Sequence, residues 1–588
     1  MKQIIALIKF YYELVGNRLF LLFSLMVIAV GFQGLSVGLF LPILQGEESN
    51  SKVSRVVRHV FDLIGIEYSL LYLLSALVVF FLVRSIFLIF ESFLAGKIIA
   101  DLLVDLRCKI AQKIFELRYE AYMSKSSGYL NNALIVEFQN VVFSFKMFSG
   151  LVVTILFAIM YVGIPLFINP ILILILSGIG FPLFLIIKKI NQLTKDYSIL
   201  TSTHSAKLQK IIIQSLNYFK YLKATSRYPN VLEQIFQQSR KLGKLQFRQH
   251  QLGAITEFGF EPIVILVIAG VIFYYVEVKG QNIIENIFIV YLLLSAMKML
   301  LSTQQSIRKL LNSWGSIEVL KTLNSELGIS KERIPEQIIS NIPSDKSIRF
   351  ENVGFSFENG VQILRNINIE IRPNSTVAFV GESGAGKTTL INMLTGLLRP
   401  TQGAIFAGDI PYNDIDMFQM RKKIGYITQE NVIFNDTIYN NITLWDTNDT
   451  NRDMEIVETV AGKAHISEFI NGLENGFESI LGEGGINISG GQRQRICIAR
   501  ELYKDAKILI FDEATSSLDT NTEKEIQKNI EEFKGQKTIV IVAHRLSTIR
   551  NSDKIFVLKN STIVEEGSYE DLYSLNGEFK RMVVQQNS

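Results

Sequence analysis

Six long apolar stretches fill the first half of the chain, and each is close to the roughly 20 residues that an α-helix needs to cross a bilayer. They are Leu19–Leu44, Leu70–Phe93, Val141–Phe167, Ile171–Ile187, Ile255–Val276 and Ile284–Leu301. One such stretch is compatible with a buried helix of a water-soluble protein, but six in succession argue against that alternative. The stretches therefore predict a transmembrane domain with six helices over residues 1–325.

Positive charge predicts the orientation of these helices. The two long connections, Leu94–Asn140 and Lys188–Gly253, carry six and twelve Lys or Arg residues. Loops rich in Lys and Arg stay on the cytoplasmic side, so we expect both connections and the N-terminus in the cytoplasm. Helical periodicity in both connections predicts that the membrane helices continue beyond the bilayer. Contact points for a cytoplasmic domain are expected near Ser126–Leu134 and Gln214–Tyr228.

Two other segments have the pattern of amphipathic helices. Met1–Arg18 mixes lysine and arginine with large apolar residues, which predicts a helix at the membrane surface. Lys52–Ile66 sets apolar side chains on one face at helical spacing and predicts a short helix on the outer face of the membrane. An ordinary structured loop is the alternative for this second segment.

Ionisable residues inside membrane spans are costly, so they usually face a cavity or a partner. Here they are Arg84, Glu91, Lys146, Glu257, Glu261 and Lys298. One hypothesis is that Arg84 and Lys298 line a central cavity and attract an anionic group of a transported molecule. The alternative is internal pairing, for example of Arg84 with Glu91 or of Lys298 with Glu261.

Charge and composition exclude several other classes of site. A net charge of +4 is too small to indicate nucleic acid as a partner. Cys108 and Cys497 lie far apart, and the five histidines are scattered. This pattern indicates neither a disulfide framework nor a metal site made of Cys and His.

A glycine-rich loop in the second half predicts a nucleoside triphosphate site. Residues 381–389 read GESGAGKTT, follow the apolar run Thr376–Val380 and open a helical pattern. In that context the motif is a phosphate loop (Walker A), in which backbone N–H groups and the helix N-terminus face the phosphates. Lys387 is expected to reach the β- and γ-phosphates and Thr388 to bind Mg²⁺. The residues assigned to the loop are Gly381, Glu382, Ser383, Gly384, Ala385, Gly386, Lys387, Thr388 and Thr389.

Further candidate residues follow in a definite order within a soluble α/β domain predicted over residues 347–588, after a polar linker over residues 326–346. Phe357 is spaced to stack on a purine, and Gln429 ends a strand from which it reaches Mg²⁺ and water. Asp512 ends the buried strand KILIFD and is expected to hold Mg²⁺, while Glu513 polarises the attacking water. His544, after the strand Thr538–Ala543, is expected to contact the γ-phosphate.

The segment ISGGQ carries a family resemblance. Together with GESGAGKTT, IFDEATSSLD and VAHRLSTI, it resembles the ATP-binding cassette of ABC transporters. The resemblance implies that Ser489, Gly490, Gly491 and Gln492 bind the γ-phosphate of ATP held by a second cassette. It also implies that Asp519 lies in the loop joining the two sites and that His544 is the switch histidine. Because one chain holds one cassette, the resemblance implies a dimer.

The resemblance extends over nearly the whole chain, because six spans ahead of one cassette is the layout of half-size ABC exporters (type IV). It implies a multi-domain membrane protein with an all-α six-helix transmembrane domain and an α/β P-loop ATPase domain, with ATP and Mg²⁺ as cofactors. Ile488, Phe357 and Ser517 depart from the usual Leu, Tyr and Ala, and none of these changes removes a catalytic group.

The transported molecule is less well indicated. A first span ending in GLFLPIL, followed by an outer amphipathic helix, is similar to PglK-like flippases of lipid-linked oligosaccharides. This similarity implies a polyprenyl-pyrophosphate-linked glycan as cargo and the bacterial inner membrane as the location. We expect the second half-transporter of the dimer to be an identical chain. The alternatives are an exporter of a mature peptide, a lipid or a drug, and an ABC ATPase that gates or regulates rather than transports.

Overall fold

A computed structural model describes residues 2–45, 52–65, 67–168, 170–273, 283–332, 346–357, 360–446, 450–512, 528, 530–543 and 549–587. The chain divides into two compact units. The first unit comprises Met1–Leu117 and Ala121–Lys331, and the second comprises Arg118–Glu120 and Glu332–Ser588.

The described part of the first unit is built from helices. Their bounds are α1 Lys2–Val15, α2 Arg18–Gln45, α3 Lys52–Ile64, α4 Leu70–Phe115, α5 Tyr119–Met123, α6 Ser127–Asn132, α7 Phe138–Ile168, α8 Pro170–Asn217, α9 Phe219–Ala224, α10 Tyr228–Phe258, α11 Glu261–Phe273, α12 Ile283–Asn312 and α13 Trp314–Ile329. A π-helical turn, Ala133–Glu137, joins α6 to α7.

Four segments within the described residues are long and apolar enough to cross a membrane: Arg18–Gln45, Leu70–Phe115, Gly128–Phe167 and Phe288–Asn312. They contain the first, second, third and sixth predicted spans, in whole or in large part. The fourth predicted span begins α8, where several side chains lie outside the described residues. Helices α4 and α8, with 46 and 48 residues, are each about 70 Å long at 1.5 Å per residue, more than twice the thickness of a bilayer core.

The fifth apolar stretch is not one helix, as the prediction of a single span over Ile255–Val276 assumed. Helix α10 ends at Phe258 and α11 begins at Glu261, with a bend at Gly259 and Phe260. Pro262 explains the break, because its ring has no N–H and clashes with the carbonyl four residues earlier in a continuous helix. Residues 274–282, at the end of this stretch, lie outside the described residues.

Both predicted amphipathic segments are helical. Tyr11 of α1 is fully buried, and its hydroxyl forms a hydrogen bond of 2.5 Å with Ser144 Oγ of α7. In α3, Phe61 packs with Leu39 and Leu73, whereas Leu63 is exposed. Residues Lys52–Ile64 therefore form a helix and not an irregular loop, and its place on the outer face of the membrane stays a prediction.

The described part of the second unit contains two sheets and several helices. The strands are β1 Ile348–Ser356, β2 Gln362–Ile371, β3 Thr376–Gly381, β4 Gln402–Ala407, β5 Ile410–Pro411, β6 Ile424–Ile427, β7 Ile508–Asp512, β8 Thr538–Val542, β9 Lys554–Lys559 and β10 Thr562–Gly567. The helices are α14 Lys387–Leu394, α15 Met417–Lys422, α16 Ile438–Thr443, α17 Thr450–Lys463, α18 Ser467–Asn471, α19 Gly490–Tyr503, α20 Tyr569–Ser574 and α21 Glu578–Asn587.

The larger sheet has the order β10-β9-β3-β8-β7-β6, and its neighbouring strands β9, β3, β8, β7 and β6 are parallel. The smaller, antiparallel sheet has the order β2-β1-β4-β5. Strand β3 is apolar from Val377 to Val380, as is typical of a strand that is covered on both faces. Ala378 and Val380 pack into one hydrophobic cluster, and Val377 and Phe379 pack into the cluster on the opposite face.

The boundary between the two units lies within the predicted linker, residues 326–346. Helix α13 continues to Ile329, four residues past the predicted end of the membrane domain, and the boundary between the units falls after Lys331. Glu332, the first residue of the second unit after this boundary, is ion-paired with Arg421. Residues 333–345, most of the predicted linker, lie outside the described residues.

Candidate functional site

Four adjacent parallel strands bring the predicted phosphate and metal residues to one edge of the larger sheet. The phosphate loop follows β3, Gln429 follows β6, and Asp512 is the last residue of β7. Because β3, β8, β7 and β6 run in the same direction, their carboxyl ends meet at one edge. Ligands of open α/β sheets bind at this edge.

The phosphate loop needs glycine at three positions. Gly384 and Gly386 have φ angles of 83° and 103°, which residues that carry a side chain rarely adopt. At Gly381, a Cβ atom would lie 2.4 Å from the carbonyl oxygen of Leu558 on the neighbouring strand. The loop can therefore fold closely enough to direct its N–H groups at a phosphate. Ala385 packs beside the hydrophobic cluster that contains Val377 and Phe379, and Glu382 and Ser383 are exposed.

Lys387 lies at the start of α14 and points back across the loop. Its side chain is buried, and Nζ donates hydrogen bonds to the carbonyl oxygens of Gly381 and Glu382 at 2.7 and 3.0 Å. The ammonium group thus lies within the loop that the sequence assigns to the phosphates. Thr388 is exposed beside it, and Thr389 is half-buried.

Gly386→Ala is expected to lower the thermal unfolding temperature of the protein without nucleotide more than Gly384→Ala does. Both substitutions place a side chain at positive φ, which costs about 1–2 kcal/mol. Only at Gly386 would the new Cβ also meet a neighbour, Leu364 Cδ2 at 2.6 Å; at Gly384 nothing lies within 4 Å. Equal shifts in scanning calorimetry would contradict this expectation.

Oxygen ligands suited to Mg²⁺ are available at the same edge. They are the hydroxyl of Thr388, the amide oxygen of Gln429 and the carboxylate of Asp512, of which Asp512 is 7% exposed. Within the described residues no group of three or more His, Cys, Asp and Glu residues could hold a metal. The three oxygen donors of Thr388, Gln429 and Asp512 include only one carboxylate. They fit Mg²⁺, which is usually bound by one or two carboxylates together with substrate phosphates and water.

Asp512 has a partner that the sequence motifs did not indicate. The hydroxyl of Tyr426, on β6, donates a hydrogen bond to Asp512 Oδ2 at 2.8 Å. Tyr426 lies three residues before Gln429, but only the pairing of β6 with β7 shows that it reaches the aspartate. A sequence argument would have needed that strand order to find it.

Phe357 lies just after β1 and is 45% exposed. Its ring contacts the ring of Phe355 edge to face, with centroids 5.0 Å apart. Because Phe355 belongs to β1, this contact holds the Phe357 ring next to the sheet. An exposed aromatic ring at this place is compatible with stacking on a base, which stays a prediction.

Three predicted residues lie outside the described part of the chain: Glu513, Asp519 and His544. Glu513 directly follows Asp512, and His544 follows Ala543, the last described residue after β8. Their roles therefore stay predictions.

The segment ISGGQ caps α19. Ser489 is the N-cap residue: its Oγ accepts a hydrogen bond from the backbone N–H of Gln492 at 3.2 Å, and Gln492 Oε1 accepts one from the N–H of Ser489 at 2.8 Å. This reciprocal pair is a capping box. Ser489 is exposed, Gly490 is half-buried and Gly491 is buried, so the N-terminus of α19 is open to a ligand at the serine.

Helix α19 is anchored by a buried arginine that the sequence analysis did not single out. Arg500, 8% exposed, donates to the carbonyl oxygens of Asn441 and Val432 at 2.7 and 2.9 Å and to Asn441 Oδ1 at 3.3 Å. The side chain of Asn441 in turn bonds the backbone of Phe434 and Thr437. Arg500 thereby ties α19 to the segment that follows Gln429.

In the first unit, the structure places Arg84 and Lys298 in α4 and α12. Neither of the two suggested internal pairs forms between these described residues. Glu91 accepts a hydrogen bond from Ser149 Oγ at 3.1 Å, and the Arg84 guanidinium lies 5.8 Å from the ring centroids of Phe81 and Phe157. Lys298 is exposed, and Glu261 begins α11.

Comparison with known proteins agrees with both halves of this description. The family described as ABC transporter transmembrane region matches residues 18–301, and the family described as ABC transporter matches residues 364–516. An ATP-dependent lipid A-core flippase of Syntrophus aciditrophicus (strain SB) is 30% identical over 522 residues, which cover 86% of this chain and 84% of that protein. This chain belongs to the ABC transporter family.

One further relative matches only part of this chain, and one solved structure shares its fold. The ATP-dependent lipid A-core flippase of Desulfotalea psychrophila (strain LSv54 / DSM 12343) is 44% identical over 238 residues, 40% of this chain and 41% of that protein. A bacterial Atm1-family ABC exporter, solved with ATP bound, aligns with a TM-score of 0.80 over 98% of this chain and 99% of that one. At 22% identity this structural match shows a shared fold.

Membership confirms the predicted fold class and the resemblance to half-size ABC exporters. The chain is an ABC transporter ATPase that couples ATP hydrolysis to transport across a membrane. Because each chain carries one cassette, this ABC exporter works as a dimer of cassettes. When bound, Mg²⁺ would neutralise the charge that develops on the phosphates during hydrolysis.

Proposed function

We propose that this ABC exporter flips an amphipathic lipid with an anionic head group, a lipid-linked oligosaccharide, across the bacterial inner membrane by alternating access. The working unit is a homodimer, with the two cassettes in the cytoplasm. A polyprenyl-pyrophosphate-linked glycan has the required combination of negative charge, sugar and long apolar chain. A lipid A-core glycolipid, the cargo in the names of the relatives, is the second candidate.

The observation that carries the proposal is the environment of Arg84. This arginine lies in an apolar membrane-spanning helix, and its Nε atom is buried with no hydrogen-bond partner among the described residues. An arginine that has no carboxylate partner within a span is costly, and a bound anion would offset that cost. Lys298, exposed on α12, would supply a second positive charge.

Replacement of both cations, Arg84→Gln together with Lys298→Gln, is expected to lower ATP-driven lipid movement at least tenfold while basal ATPase activity changes less than twofold. The reason is that each lost charge-assisted hydrogen bond to a phosphate weakens binding by about 1.5–3 kcal/mol. Proteoliposomes with a labelled lipid-linked oligosaccharide would measure the movement.

A matched control is Lys146→Gln, which removes a cation that is exposed near the start of the third span. Parallel assays with a lipid A-core glycolipid and with a labelled peptide compare the candidate cargoes. Unchanged movement in the double variant would contradict the role of the two cations. Hydrolysis without movement of any of these molecules would contradict the proposed class of cargo.

A further inference from the structure

The hydrogen bond between Tyr426 and Asp512 joins two neighbouring strands at the nucleotide edge. In the register of β6 and β7, Tyr426 lies opposite Ile510, two residues before Asp512. The tyrosine side chain therefore extends along the strand direction to bring its hydroxyl to Asp512 Oδ2, 2.8 Å away. The contact links the strand that leads to Gln429 with the strand that ends in the acidic residue.

The chemistry of the two groups sets the direction of this hydrogen bond. Tyr426 is half-buried beside the hydrophobic cluster that covers one face of the larger sheet. A phenol carries its hydrogen at neutral pH, and an ionised carboxylate can only accept, so the Tyr426 hydroxyl donates and Asp512 Oδ2 accepts.

We propose that Tyr426 is a positioning residue for the magnesium site: its hydroxyl fixes the rotation of the Asp512 carboxylate, and thereby the direction in which that carboxylate faces Mg²⁺ bound with ATP. The inference rests on the role of Asp512 in holding Mg²⁺. A carboxylate turns readily about its last side-chain torsion, because such torsions have broad minima. A hydrogen bond to one oxygen restricts that rotation. Loss of a residue that hydrogen-bonds to a metal ligand typically lowers metal affinity by about 10–100-fold.

The test compares Tyr426→Phe with the wild-type protein, as full-length dimers in detergent, for the binding of Mn²⁺ in place of Mg²⁺. Electron paramagnetic resonance would follow free Mn²⁺ in the presence of a non-hydrolysable ATP analogue, so that no turnover is needed. We expect Tyr426→Phe to weaken Mn²⁺ binding about tenfold or more. Binding of the analogue without metal should stay within twofold of wild type.

The matched control is Tyr412→Phe. Its hydroxyl is also buried in the second unit but donates to the carbonyl oxygen of Leu394 at 3.2 Å. This variant is expected to bind Mn²⁺ as the wild type does. Equal weakening in both variants would overturn the proposal, because it would indicate a general effect of removing a buried hydroxyl.

Asp512→Asn separates the inference from its premise. If Asp512→Asn weakens Mn²⁺ binding and Tyr426→Phe does not, Asp512 is a metal ligand that does not need positioning, and the proposal is wrong. If Asp512→Asn leaves Mn²⁺ binding unchanged, the premise fails and the proposal fails with it. Weakening by both substitutions, with Tyr412→Phe unaffected, would support the positioning role.

Discussion

The Glu513→Gln variant is expected to bind ATP and to hydrolyse it about 10²–10⁴-fold more slowly than the wild type. General-base catalysis contributes a factor of this size, and a carboxamide cannot accept a proton from water at neutral pH. Glu513 directly follows Asp512, the last residue of β7. Strand β7 ends at the same edge of the larger sheet at which the phosphate loop begins. Because ATP would remain bound, the variant should also accumulate the closed dimer of cassettes.

ATPase rates and ATP binding on the purified protein would measure the first effect. Cross-linking of the two cassettes in the presence of ATP would measure the second. Glu566→Gln is a suitable control because it makes the same chemical change on β10, where Glu566 pairs with Lys554 at 3.1 Å. Hydrolysis near the wild-type rate in Glu513→Gln would show that another group serves as the base.

Arg500→Met should have the largest effect on stability, a loss of about 3 kcal/mol in the free energy of unfolding of the second unit. The methionine keeps most of the apolar stem but removes the three hydrogen bonds to oxygens of Val432 and Asn441, which are left without this donor. For a domain of 150–250 residues, a loss of this size lowers the unfolding temperature by roughly 6–12 °C. Differential scanning calorimetry would detect the shift.

Arg581→Met is the control for this substitution. Its side chain is 74% exposed and pairs with Glu578 at 3.7 Å. Exposed pairs of this kind contribute about 0–1 kcal/mol, so its unfolding temperature should barely change. A shift for Arg500→Met no larger than for Arg581→Met would mean that other contacts hold α19 in place.

Features that depend on neighbouring residues in the sequence were predicted well. The apolar stretches predicted helices such as α2 and α4, because the length of a span is read directly from the run of apolar residues. The glycines of the phosphate loop were predictable for the same reason, since Gly384 and Gly386 lie in a short motif whose backbone conformation excludes other residues.

Features that depend on strand order or on long-range packing were not predicted. The bond from Tyr426 to Asp512 spans 86 residues, and the bond from Arg500 to Asn441 spans 59. Local patterns contain no information about which distant strand becomes a neighbour. The same limit explains the suggested pairing of Arg84 with Glu91: the two charges are close in sequence, but Glu91 bonds with Ser149, 58 residues away.

The capping box at Ser489 has a consequence for the energetics of closing the dimer. Because the Ser489 oxygen accepts the N–H of Gln492, the hydroxyl is held at one place on the helix end. In the role that the family resemblance implies, Ser489 would donate its hydrogen to a phosphate while its oxygen still accepts from the helix. Hydrogen bonds in such a chain polarise and strengthen one another. The rotational entropy of this side chain is lost during folding. No further rotational entropy of Ser489 would therefore be lost each time ATP closes the dimer.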